Sequence, residues 1–89
     1  MRAVITVVGK DTVGILADVS AICAKCQANI VDVTQSILSD LFAMVMVVEI
    51  DKLNVPFTEL KALLEELGGR RNLQIHLMHE DIFNSMHRI

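Results

Sequence analysis

The chain has 89 residues, of which 53% are hydrophobic and 21% charged, and its mean hydropathy is +0.50. That length makes one domain, residues 1–89, near the size at which folding hides only about 60% of the unfolded surface, so a composition this apolar implies that part of the surface meets another chain. A net charge of −3, no Trp or Tyr and three Phe supply neither a basic face for phosphate backbones nor stacking platforms for bases, which argues against nucleic acid as a direct ligand.

Ala3 to Val8 is a short run rich in Val and Ile and closed by Gly9, which suits a strand buried on much of both faces. The opening residues are too few and too soon interrupted for a secretory apolar region. The longest apolar run, Leu41 to Val48, is far short of the roughly 20 residues that cross a bilayer. A cytoplasmic protein with no membrane partner is expected.

Lys10 to Val13 forms a loop, and after it Ile15, Val19, Ile22 and Cys26 recur in steps of four, three and four, with Leu16 and Cys23 beside them. That spacing predicts a helix with one stripe against a sheet, whose first amides Asp11 or Thr12 can cap. Ile30 to Leu38 then alternates, with Val31, Val33 and Ile37 on one face and Asp32, Thr34 and Ser36 on the other, as in a half-exposed strand. Ser39 and Asp40 turn the chain into the nearly continuous apolar strand Leu41 to Ile50, giving an antiparallel hairpin whose second strand lies nearer the sheet centre. Phe42, Met44, Met46 and Val48 share one face of that strand and Ala43, Val45 and Val47 the other. Both sets are apolar, so the set not under helices needs cover from a partner chain or the terminal helix.

Asn54 is a candidate N-cap, Pro56 fits a first helical turn, and Phe57, Leu60, Leu64 and Leu67 repeat with helical spacing up to a left-handed stop at Gly68 and Gly69. Leu73, Ile75 and Leu77 alternate in a last strand, and residues 80–89 read as a short terminal helix with Glu80 and Asp81 at its positive end and His87 and Arg88 at its negative end. The order is β-α-β-β-α-β plus a helix. Right-handed crossovers put both main helices on one face, so an α+β fold is expected: a ferredoxin-like sandwich with a four-stranded antiparallel sheet.

The loop K-D-x-x-G-I-L, followed one helix later by A-N-I and the strand V-D-V-T-Q-S, resembles the ACT domain, a small ligand-responsive regulatory module. The likeness is to its short stand-alone members and to the modules of the glycine-cleavage repressor, and it runs from Met1 to about His79. It implies regulation by binding, often of a free amino acid, between paired domains that share one continuous sheet. By the same resemblance Asp11 and Gly14 match loop positions, and Asn29 matches the asparagine that begins the second strand and faces the loop of a partner protomer. The sequence departs from the pattern at Val13, where Pro is usual before the loop glycine, and at Cys26, Gln27 and Ala28, where the turn usually contains Gly.

The physics of the loop is compatible with that role. Amides at a helix start can accept a carboxylate, Gly14 has no Cβ to block close approach, Asp11 can pair with an ammonium, and Asn29 carries both donor and acceptor. The candidate ligand contacts are Lys10, Asp11, Thr12, Val13, Gly14 and Ile15 of one protomer, with Asn29 and Ile30 of the other. The bland reading stands beside this one: Asp11 and Thr12 as helix caps, and Asn29 as a turn residue.

Cys23 and Cys26 have C-x-x-C spacing, but both fall on the apolar stripe of a continuous helix, where thiols pack rather than react. His76 and His79 have opposite parity and point to opposite faces, so no metal-binding pattern is expected. With no nucleophile elbow, phosphate loop or H-E-x-x-H, a catalytic role and a cofactor are not expected either. The favoured function is a homodimeric amino-acid sensor that signals to another protein by contact. The alternative is a protein-interaction module that binds no metabolite and offers its sheet face or terminal helix to a regulatory partner.

Overall fold

The apolar run ending at Gly9 and the one beginning at Leu41 lie side by side at the centre of the sheet. The computed structural model describes residues 1–10 and 13–86, with only the backbone of Leu38. In it the chain runs β1 (Arg2–Gly9), α1 (Ile15–Cys26), β2 (Asn29–Leu38), β3 (Leu41–Glu49), α2 (Phe57–Arg71), β4 (Gln74–His79) and α3 (Glu80–Met86). The four strands are antiparallel in the order β2-β3-β1-β4, the ferredoxin-like arrangement. Asp11, Thr12 and the expected helix end at His87, Arg88 and Ile89 lie outside the described residues.

Alternation on β3 settles which apolar set the helices cover. Phe42, Met44, Met46 and Val48 are buried together with Ala3, Ile5 and Val7 of β1 and Ile75 and Leu77 of β4, under Ile15, Val19, Cys23 and Cys26 of α1 and Leu60, Leu64 and Leu67 of α2. Ala43, Val45 and Val47 face the other way and are half-buried. Val4, paired with Val47 and Met78, also faces away from α1 and α2, yet it is only 2% exposed. The terminal helix α3 lies against β1 and β4, the strands that carry Val4 and its partner Met78.

Three local expectations are corrected. A β-bulge between Ile30 and Asp32 shifts the β2 register by one, so Ile30, rather than Val31, joins Val33 against the core, and Val31 is exposed. Asn54 does not cap α2, whose N-cap is Pro56; its side chain donates to the Lys25 carbonyl (3.0 Å) and its amide to the Cys26 carbonyl (3.1 Å), closing the end of α1 instead. Nor do Gly68 and Gly69 stop α2, which continues to Arg71 and ends at a left-handed Asn72. Gly68 serves close approach: a Cβ there would lie 2.8 Å from the Leu73 carbonyl oxygen. Gly14 stands at the N-cap position of α1, at φ +73, and nothing lies within 4 Å of where its Cβ would be. Its lack of a side chain matters for backbone sign, not for packing.

Candidate functional site

Two corners of the sheet carry the candidate residues. At the first, β1 ends at Gly9 and the chain passes through Lys10 and the loop to Gly14 and α1. Lys10 is exposed, with its ammonium 3.7 Å from Asp40. Val13 is 79% exposed, whereas Ile15 is 1% exposed, so Ile15 anchors the helix start in the core and offers a ligand only its backbone. The loop is tied down by a residue the sequence did not suggest. Arg71, at the end of α2, donates one guanidinium nitrogen to the Asp18 carboxylate and another to the Val13 carbonyl. Such charge-assisted bonds from a largely buried arginine fix the approach of α2 to the loop. Nothing in the spacing of residue 71 links it to residue 13, and a basic residue at a helix C-terminus, here beside Arg70, ordinarily reads as a dipole partner.

The second corner holds Asn29 and Ile30. Gln27 adopts the left-handed conformation (φ 60) that the missing glycine would have taken, and it ends α1 with Gln27 N–H to Ala24 O (3.3 Å) and Ala28 N–H to Cys23 O (2.8 Å). Asn29 then begins β2 with its side chain exposed, and its amide nitrogen donates to Glu49 Oε1 at 2.9 Å. Ile30 is half-buried against the core. Here the bulge matters again. Counted back from the Ser39–Asp40 turn, Ile30 would face Glu49, and only the one-residue shift puts Asn29 there. Asn29 and Glu49 line a cavity of about 550 Å³ with Gln27, Ala28, Asp51 and Lys52. Asp51 also accepts bonds from the Met1 ammonium at 2.7 and 2.9 Å.

A single chain does not bring the two corners together. Asn29 lies in the row of Glu49 and Arg2, and the loop follows the row of Gly9, Phe42 and Ile37. The seven strand steps between Arg2 and Gly9 span roughly 23 Å.

The remaining candidates are structural. Cys23 and Cys26 are buried in the core, and burial, with the neighbouring Cys26, raises the Cys23 thiol from its ordinary 9.0 to about 11; burial also raises that of Cys26. A thiol held protonated is a poor nucleophile. His79 faces the helices and stacks on Phe57, ring centroids 4.3 Å apart, while His76 faces the opposite side of the sheet. Among the described residues no three His, Cys, Asp or Glu side chains group to hold a metal ion, and no helix is long and apolar enough to cross a membrane.

Comparison with known proteins agrees with this architecture. The ACT domain profile matches residues 2–78. A UPF0237 protein of Methanococcus maripaludis is 50% identical over 99% of this chain and 98% of its own length. An ACT domain protein from Streptococcus pneumoniae superposes with a TM-score of 0.80 at 41% identity, covering 93% of each chain. A structure described as a glycine cleavage system transcriptional repressor superposes at 0.70 and 26% identity over 85% of this chain and 43% of its own. With its loop, its left-handed Gly14 and its strand-opening Asn29 set in a β2-β3-β1-β4 sheet, the chain belongs to the ACT domain family, in general a family of regulatory small-molecule-binding domains.

Proposed function

We propose that residues 1–89 form one non-enzymatic regulatory domain that binds a free amino acid in the cytoplasm, at the interface of a homodimer. The loop of one protomer, Lys10 to Ile15 with Asp11 and Thr12, and Asn29 with Ile30 of its partner form the two sides of that site. The observation that carries this reading is the separation of the two corners within one chain. Among the described residues β2 is an edge strand with its outer side unpaired. If two copies join antiparallel along that edge about a two-fold axis, the start of one β2 lies beside the end of the other, and Asn29 comes next to the partner's loop corner.

The exposed apolar residues along this edge support the pairing. Ile37 is 69% and Val31 43% exposed, unusual for a strand edge left to water. On α1, Asp18 turns towards α2 through Arg71. Leu16, two residues back and therefore about 200° around the helix, faces the β2 side and is 40% exposed. The bound zwitterion then has loop amides for its carboxylate and polar side chains for its ammonium.

The test is thermal unfolding at fixed protein concentration, alone and with each common amino acid at millimolar level. A ligand at 100 times its Kd adds about 2.7 kcal/mol, a shift of several degrees for a domain of this size. Asp11→Ala should remove the shift, and Ile37→Lys should remove both the shift and the dimer seen by sedimentation. If no amino acid moves the midpoint, the sensor reading fails.

A second reading has its own observation. Ile82 and Met86 of α3 are 51% and 65% exposed, and Ala43, Val45 and Val47 are half-buried on the sheet face away from α1 and α2, apolar surface suited to a regulatory protein partner without any metabolite. A stable dimer that responds to no amino acid would favour that reading.

A further inference from the structure

The Asn29 corner has a chemical polarity that the composition of the site does not suggest. Asparagine carries both donor and acceptor, but its partner here is the carboxylate of Glu49, which can only accept. The amide must therefore turn its NH2 towards Glu49, whichever way its two ends are assigned. That leaves Asn29 Oδ1 and the second oxygen of Glu49 as the pair's free acceptors, and both residues line the 550 Å³ cavity. Arg2, which faces Glu49 across the strands, directs its guanidinium to Glu80 instead, at 3.8 Å. Among the described residues no cation is within ion-pair distance of Glu49.

We infer that Glu49 is the specificity-determining residue of the proposed site, selecting ligands with a primary ammonium group over the corresponding hydroxy or keto acids. This rests on the reading that the loop and Asn29 bind a small carboxylic acid across the dimer. The ammonium donates to Glu49 and to Asn29 Oδ1, while the ligand's carboxylate meets the loop amides of the partner. The two charged ends of the ligand are thus read by different protomers. A hydroxyl in place of the ammonium gives one donor where two are wanted and leaves the Glu49 charge unpaired.

The experiment uses the full chain and calorimetric titration. Each amino acid that stabilises the protein is compared with its α-hydroxy acid, glycolate for glycine and lactate for alanine, on wild type and on Glu49→Gln. The glutamine keeps an acceptor for Asn29 but no charge. Wild type should bind the amino acid about tenfold or more tightly than the hydroxy acid, and Glu49→Gln should lose most of that preference while remaining dimeric. Equal binding of amino and hydroxy acids by wild type overturns the inference, and that comparison needs no variant at all. An undiminished preference in Glu49→Gln overturns it too, while leaving the sensor reading intact. If neither an amino acid nor a hydroxy acid binds, both fall.

Discussion

Two adjacent glycines give the sharpest test of how α2 meets the sheet. Gly68 and Gly69 are both inside the helix, where glycine is less favourable than alanine by about 0.5–1 kcal/mol because it loses more backbone freedom on folding. At Gly69 nothing lies within 4 Å of an added Cβ, so Gly69→Ala should realise that gain and raise the melting temperature by roughly 2–8 °C. At Gly68 the same methyl would lie 2.8 Å from the Leu73 carbonyl oxygen and 3.3 Å from Ile75 Cγ1. The nearer atom is backbone, and the Leu73 amide is itself bonded to the Gly68 carbonyl at 2.8 Å, so neither side can retreat without losing that bond. Overpacking of this kind costs about 1–3 kcal/mol, which offsets the propensity gain and leaves a net loss of up to about 2.5 kcal/mol. Thermal and urea unfolding of both variants at one protein concentration measure the difference, which isolates the steric contribution. If the chain stopped in a left-handed turn at these glycines, both alanines would destabilise. Losses of similar size in the two variants would refute the continuous helix to Arg71.

Three further outcomes are expected. Gln27→Gly should stabilise by about 1 kcal/mol in urea unfolding, because Gln27 occupies the left-handed region that glycine takes without strain. Arg71→Ala should destabilise by roughly 1 kcal/mol, with the partial exposure of Asp18 limiting the loss, and should speed amide hydrogen exchange at the start of α1, where the bond from Arg71 to the Val13 carbonyl is lost. The Cys23 thiol, raised to about 11 by burial and by Cys26, is protonated in the folded state at a pH where the unfolded thiol ionises. Its contribution is therefore complete below about pH 9 and lost as pH rises towards 11, so Cys23→Ala, though less stable at neutral pH, should show a shallower decline across that window; iodoacetamide at pH 8 should label Cys23 only on unfolding.

The layers of the fold were legible because they depend on periodicity. The four-three-four spacing from Ile15 to Cys26 and the alternation of Leu73, Ile75 and Leu77 each specify a face without reference to any distant residue. What was not legible depends on contacts that periodicity does not encode. Both faces of β3 are apolar, so only the position of the helices decides that Met44 is covered on their side and Val45 on the other. Asn54 has the composition of an N-cap, but α1 ends within reach of its side chain and takes it. The Ile30–Asp32 bulge inserts one residue with no glycine to announce it, and through it the partner of Asn29 changes from one that counting from the turn predicts to Glu49. At the candidate site the sequence named the loop glycine and the strand-opening asparagine, but not the Arg71 and Glu49 side chains that hold and orient them. Those come from sequence-distant strands and helices whose register must be known first.

A site divided between two chains has a thermodynamic consequence that a site within one chain lacks. On the proposed reading neither protomer alone offers both the loop and Asn29, since in one chain they stand roughly 23 Å apart. A ligand bound in this way has affinity for the dimer and little for the monomer, so its binding must strengthen dimerisation by the same factor by which dimerisation strengthens its binding. A domain of 89 residues with a strongly apolar composition and an exposed Ile37 on an open edge is well placed for such linkage, because on that reading part of its stability comes from the partner. The ligand then does not need to deform the sheet in order to signal. It needs only to favour the paired state, with each end of the molecule held by a different chain, and any protein that binds one association state in preference to the other will follow the ligand's concentration.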